Sequence, residues 1–258
     1  MTTGLLLLHA FPLDADMWDD QVAGLTEFPV VAVNLPGFGG AAPVTGAPST
    51  WMDQAADHAN AALAGTGIDR VVVCGLSMGG YVALAYWRRH RARVAGLALA
   101  NTKATPDDAE AKQRRRDLAT RLRSEGHGFL VESPPPLLSD AAPAEVRERV
   151  QTLIRRQSAE AIATASLAMA ERADSVPDLA GIDVPTLIIT SSADTLIPPE
   201  ASKPMAEQVP GAHLEVIEGA GHLSNLERPQ EFNRLLAEHL ARCGVEGNET
   251  ATRGHGAV

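Results

Sequence analysis

Ser77 sits in Gly75-Leu76-Ser77-Met78-Gly79, with a glycine two positions to either side. The β-branched run Arg70-Val71-Val72-Val73-Cys74 before it reads as a buried strand, and Tyr81 to Trp87 after it reads as a helix. Strand, sharp turn and helix together would lift the serine hydroxyl onto the edge of a sheet. So tight a turn leaves no room for side chains at Gly75 and Gly79, and it forces Ser77 into an unfavourable backbone conformation. A glycine-rich loop with a capping serine has the same letters, so the flanking strand and helix carry the chemical reading. A serine hydroxyl is a poor nucleophile at neutral pH. It needs a base, usually histidine, and the base needs an acceptor that fixes its tautomer.

Eight histidines are available. His58, His90, His127 and His239 fall on expected helices or on the inserted segment, His255 lies in the tail, and all five read as solvated surface. His213 opens a strand, at the wrong end of a parallel sheet. His9 follows the first strand and His222 the last, both on the serine's edge. His222, in Gly219-Ala220-Gly221-His222, is the expected base; the bland alternative is a loop histidine that caps the next helix. For the acid, Asp194 follows the strand Thr186 to Thr190. Asn101 ends the preceding sheet strand but carries no charge, and Asp107 and Asp108 are the fallback. An aspartate after a strand also serves often as a turn cap. The developing oxyanion needs preorganised donors, expected from the backbone N–H groups of Met78 and Phe11. His9 is expected to shape the Phe11 loop through hydrogen bonds, and His9 and Phe38 are candidate substrate contacts.

These residues require elements that present them at one rim. Leu5 to Leu8, Val30 to Val33, 70–74, Val94 to Ala100, Thr186 to Thr190 and His213 to Ile217 read as strands alternating with helices. That pattern predicts an α/β fold with a mostly parallel, doubly wound sheet. From 102 to 178 helix formers dominate and no strand is visible. The expected organisation is a core of 1–101 and 179–243, a helical cap over 102–178, and a disordered tail over 244–258. Met17 and Trp18 read as core. The run Arg114-Arg115-Arg116 could grip an anionic substrate, although a charge run on a helix is more often a solvated face. The net charge of −10 argues against nucleic acid as a partner. Two cysteines, Cys74 and Cys243, fit a reducing compartment better than a disulfide. No spacing suggests a metal or cofactor, no apolar run is long enough for a membrane span, and Met1-Thr2-Thr3-Gly4 has no basic leader. A cytoplasmic location is expected. Oligomeric state is not legible.

Leu8-His9-Ala10-Phe11-Pro12, Leu35-Pro36-Gly37-Phe38-Gly39, Gly75-Leu76-Ser77-Met78-Gly79-Gly80, Ala193-Asp194 with Pro198-Pro199, and Gly219-Ala220-Gly221-His222 together resemble the α/β-hydrolase superfamily. The order Ser77, Asp194, His222 is that of its catalytic triad. The serine motif, the helical insertion and the ending from His222 to Pro229 are similar to 3-oxoadipate enol-lactonases, small carboxylesterases and cofactor-free haloperoxidases. The resemblance implies a serine hydrolase of small carboxylic esters or lactones, working through an acyl-enzyme on a small-molecule substrate. The same triad could run perhydrolysis, C–C bond hydrolysis or acyl transfer, and a ligand-binding receptor on this fold stays open. Three departures stand out. Ala10 replaces the usual glycine of the oxyanion loop. The Phe38 loop lacks the usual polar side chain. The N-terminal antiparallel hairpin is absent, which predicts a sheet of six strands.

Overall fold

Runs of leucine and β-branched residues make the strands of the computed structural model, which describes residues 1–245 and 247 of the 258. The strands are β1 (Thr3–Leu8), β2 (Val30–Val33), β3 (Arg70–Leu76), β4 (Val94–Ala100), β5 (Thr186–Ser191) and β6 (His213–Ile217). They form one six-stranded sheet, all parallel, in the order β2-β1-β3-β4-β5-β6. This is the expected sheet, without an antiparallel hairpin among the described residues. Consecutive strand residues point to opposite faces, and Leu5, Leu6, Leu7 and Leu8 are all fully buried. Both faces are therefore covered, as an all-parallel sheet requires.

Helices supply that cover. They are α1 (Asp19–Gly24), α2 (Trp51–Ala61), α3 (Met78–His90), α4 (Ala109–Glu125), α5 (Gly128–Glu132), α6 (Ala144–Arg155), α7 (Ala159–Ala170), α8 (Pro199–Gln208), α9 (Ser224–Glu227) and α10 (Pro229–Arg242). Met17, Trp18, Val22 and Leu25 are spaced as on one helix, but the segment is a 3-10 turn over Ala15–Trp18 that runs into the short α1, and Val22 is exposed. Met17 and Trp18 are fully buried, as a core reading requires. The chief surprise is on α10. His239 is buried, not solvated, because that face of α10 packs against β4. A Cβ on Gly96 of β4 would stand 2.3 Å from Cys243 Sγ and 3.4 Å from His239 Nε2, so the glycine is what lets α10 approach.

Register brings the strand ends level. Val33, Leu8, Gly75, Leu99, Ile188 and Leu214 form one row across the sheet. The loops beyond that row carry His9, Ser77, Asn101, Asp194 and His222, so all five leave the same rim. Helices α4 to α7 occur between β4 and β5, and α4 packs against α7. Buried polar ties fasten this insertion to the sheet. Asp14 accepts from Arg156 and from Gln157, whose side-chain oxygen accepts from the Gly39 N–H at 3.0 Å. Val245 packs into the core near α10, and the rest of the expected tail beyond it, apart from Gly247, lies outside the described residues.

Candidate active site

The turn at Ser77 is a consequence of close packing. A Cβ on Gly75 would lie 2.1 Å from the Gly79 carbonyl oxygen, and one on Gly79 would lie 2.0 Å from the Leu8 carbonyl oxygen. Both neighbours are backbone and cannot swing aside. Ser77 itself has φ 56° and ψ −113°, a conformation that costs a non-glycine residue about 1–3 kcal/mol and persists only where its surroundings hold it. Here the Ser77 N–H donates to the Ala100 carbonyl at 2.9 Å. Its carbonyl accepts from the Gly80 N–H at 2.9 Å and from Thr102 Oγ1 at 2.8 Å. Strand β3 thus extends to Leu76, two residues past the expected end, and α3 begins directly at Met78.

Asp194 and His222 meet. Nδ1 of His222 donates to Oδ2 of Asp194 at 2.8 Å, and both side chains are buried. The same oxygen accepts from Asn101 Nδ2 at 2.9 Å, and Oδ1 accepts the N–H groups of Leu196 at 2.9 Å and Ile197 at 3.0 Å. Burial alone would raise the Asp194 carboxyl. The hydrogen bond and charge of His222, with the Ile197 N–H and Asn101, outweigh it and hold the group below the ordinary aspartate value. The carboxylate is therefore ionised and fixed, and the Nδ1–H tautomer leaves Nε2 of His222 free to accept a proton.

Ser77 and His222 line one cavity of about 360 Å³ between the sheet rim and the insertion. The Ser77 hydroxyl makes no hydrogen bond to the ring; contacts of this kind commonly tighten only around a bound substrate. Phe11 also lines the cavity. Neither its N–H nor that of Met78 donates to a protein acceptor among the described residues. The loop that carries Phe11 is held by the Ala10 N–H on Met17 Sδ at 3.1 Å and the Leu13 N–H on the Ala10 carbonyl at 2.9 Å. Ala10 is fully buried there, so the extra methyl is accommodated.

His9 and Phe38 do not line the cavity. Both are fully buried, with ring centroids 5.2 Å apart in an edge-on contact. Nδ1 of His9 donates to the Ala10 carbonyl at 3.0 Å, and Nε2 accepts from the Leu35 N–H at 3.0 Å. The ring therefore joins the loops after β1 and β2, as a residue that shapes the Phe11 loop would, and neither side chain reaches the cavity wall. Burial lowers the His9 imidazole to about 4, against weaker upward pulls from the Ala10 carbonyl and the Asp14 charge, so it is neutral at pH 7. Asp107, the fallback acid, lies on the cavity wall but is bound to Arg115 and Arg172 instead of His222. Among the described residues no group of three or more His, Cys, Asp or Glu side chains could hold a metal ion.

Two residues passed over in the sequence support the site. Asn101, at φ 45°, donates to Asp194 and to Ser191 Oγ and accepts from Ser224 Oγ at 2.7 Å. An asparagine just past a strand is itself a signal, since it tolerates the left-handed region. Glu227 accepts from the Gly221 N–H at 2.8 Å, the Ser139 N–H at 3.0 Å and Ser139 Oγ at 2.5 Å. It ties the loop that bears His222 to the insertion, and nothing in its local sequence marks it.

Comparison with known proteins accords with this geometry. Residues 5–235 match the model of the Alpha/beta hydrolase family. A 3-oxoadipate enol-lactonase of Acinetobacter baylyi is 30% identical over 241 residues, covering 90% of this chain and 86% of the relative. A pimeloyl-acyl-carrier-protein methyl ester esterase of Neisseria meningitidis is also 30% identical, covering 91% of this chain and 92% of the relative. The solved structure of a thermophilic esterase from Thermogutta terrifontis superposes with a TM-score of 0.88 at 39% identity, covering 94% of this chain and 92% of that one.

Proposed function

The chain belongs to the alpha/beta hydrolase family, and from that premise we propose that it is a serine hydrolase cleaving a small carboxylic ester or lactone through an acyl-enzyme. The observation that carries this reading is the 2.8 Å bond from His222 Nδ1 to Asp194, with His222 and the strained Ser77 on the wall of one cavity. Esterase and enol-lactonase relatives support the reaction class.

In this mechanism Ser77 Oγ attacks the substrate carbonyl while His222 Nε2 takes its proton. Asp194 stabilises the imidazolium that forms. The N–H groups of Met78 and Phe11 hold the oxyanion, each donor being worth roughly 10²–10³ in rate. Collapse expels the alkoxide, which leaves with the proton from His222. Water then adds to the acyl-enzyme, giving its proton to His222, and the second collapse returns Ser77 and releases the acid. Residues 102–178 act as a cap over the core of 1–101 and 179–243, closing the cavity from above. The two free cysteines favour a cytoplasmic setting, and no helix among the described residues is long and apolar enough to cross a membrane.

A fluorophosphonate probe is expected to label Ser77, and p-nitrophenyl acetate is expected to turn over. Ser77→Ala should abolish labelling and cut kcat by about 10⁴ or more. Full esterase activity in that variant would overturn the assignment.

A further inference from the structure

Three cations converge on one carboxylate at the cavity wall. Arg172 donates to Oδ1 of Asp107 at 2.9 Å, Lys103 Nζ lies 3.4 Å from that oxygen, and Arg115 Nε donates to Oδ2 at 2.5 Å. Burial alone would raise the Asp107 carboxyl, but the hydrogen bonds and charges of Arg172 and Arg115 hold it well below the usual carboxylate range. It stays ionised, and it can neutralise only one of the three. Arg172 is spent on the interior. It is buried, donates to the Thr105 and Met169 carbonyls, and stacks on Tyr81 at 4.2 Å. Lys103 and Arg115 differ from it. Their side chains are 26% and 24% exposed, and both line the cavity that holds Ser77 and His222. Among the described residues Arg115 gives only its Nε to Asp107, so its two terminal amino groups remain for a ligand.

The surroundings sharpen the point. The whole chain carries 32 acidic residues against 22 lysines and arginines. Yet among the described residues the cavity wall gathers Lys103, Arg114 and Arg115 against the single carboxylate of Asp107, beside apolar Leu118, Leu137 and Met169. Arg114 and Arg116 are answered by Glu110 and Glu171 on the surface, as a solvated face would be. Arg115 is not.

We infer that Lys103 and Arg115 form an anion subsite, and that the substrate is an ester or lactone bearing a second, unesterified carboxylate. The inference rests on the serine-hydrolase reading of the same cavity. A substrate carboxylate held there would accept from both cations in a partly dry pocket, where charge-assisted hydrogen bonds are strong.

The test compares two ethyl esters on one preparation: monoethyl glutarate, and the neutral ester in which an isopropyl group replaces the free carboxylate. Because both are measured on the same enzyme, the ratio of their kcat/KM values does not depend on how much protein is folded. The wild type should favour the anionic ester by about tenfold or more, and raising the ionic strength should shrink that preference. Lys103→Gln and Arg115→Gln should each lower the ratio by about tenfold. An equal or reversed preference in the wild type, or a ratio that neither variant moves, overturns the anion subsite while leaving ester hydrolysis standing. Failure to hydrolyse either ester, with Ser77 unlabelled by fluorophosphonate, overturns the serine-hydrolase reading and the subsite with it.

Discussion

Asn101 and His222 donate to the same oxygen of Asp194, while two backbone N–H groups occupy the other. The carboxylate therefore has little freedom to turn away from the ring. Asn101→Ala would remove one donor from Asp194 and leave Ser224 and Ser191 short of a buried partner. We expect a loss of about 2 kcal/mol in unfolding free energy and roughly tenfold in kcat/KM. Freed of that donor, the carboxylate holds the His222 ring less firmly in one orientation, so the loss in kcat/KM should persist per folded molecule. A purely structural role would lower Tm without that loss. Ser77, Asp194 and His222 could each be singled out in the sequence because each follows a strand, and the structure brings Asp194 against His222 and puts Ser77 and His222 on one cavity. The role of Asn101 was not legible. Its lack of charge argued against it as the acid, and the sequence could not say that it would serve the acid instead.

At the scale of elements, the β3–α3 turn was legible because its marks, glycines two positions to either side of Ser77, lie within five residues, although the neighbours that hold it include Leu8 and Ala100 on other strands. The six strands were legible for a similar reason, since continuous apolar runs mark strands covered on both faces. The burial of His239 was harder to see. It depends on Gly96, on a distant strand, allowing α10 to come close. The link between Glu227 and Ser139 joins residues 88 apart in sequence and has no local mark at all. It makes the position of His222 depend on the insertion. Glu227→Ala would strand the Gly221 and Ser139 N–H groups in a buried place. The expected cost is about 3 kcal/mol, read as a fall in the urea midpoint. A drop in kcat should accompany it even at temperatures where the variant is folded. The ring of His9 between two loops shows the same limit: the sequence placed it at the rim, but only packing distinguished a brace from a substrate contact.

For the whole molecule, acid should be a selective stress. Burial lowers both His9 and His239 to about 4 from an ordinary 6.5, although the Ala10 and Leu97 carbonyls pull the other way. The unfolded chain binds protons at these sites below about pH 6.5, and the native state binds them only near 4. Stability is therefore complete above 6.5 and is lost as pH falls through that window, by on the order of 3 kcal/mol per histidine. Thermal unfolding followed from pH 7 to pH 4 should show this decline, and His239→Gln should reduce it by about half, leaving the share of His9. A wild-type Tm that is level across the window would rule the two buried imidazoles out as its cause.

The sheet order β2-β1-β3-β4-β5-β6 has a further consequence for a chain growing on the ribosome. The strand that leads to Ser77 is made third, and the imidazole arrives only after the sixth and outermost strand has been added. On the proposed mechanism the nascent polypeptide holds, throughout most of its synthesis, a serine with no partner to activate it. Hydrolytic power would then switch on once, late, when the finishing strand docks.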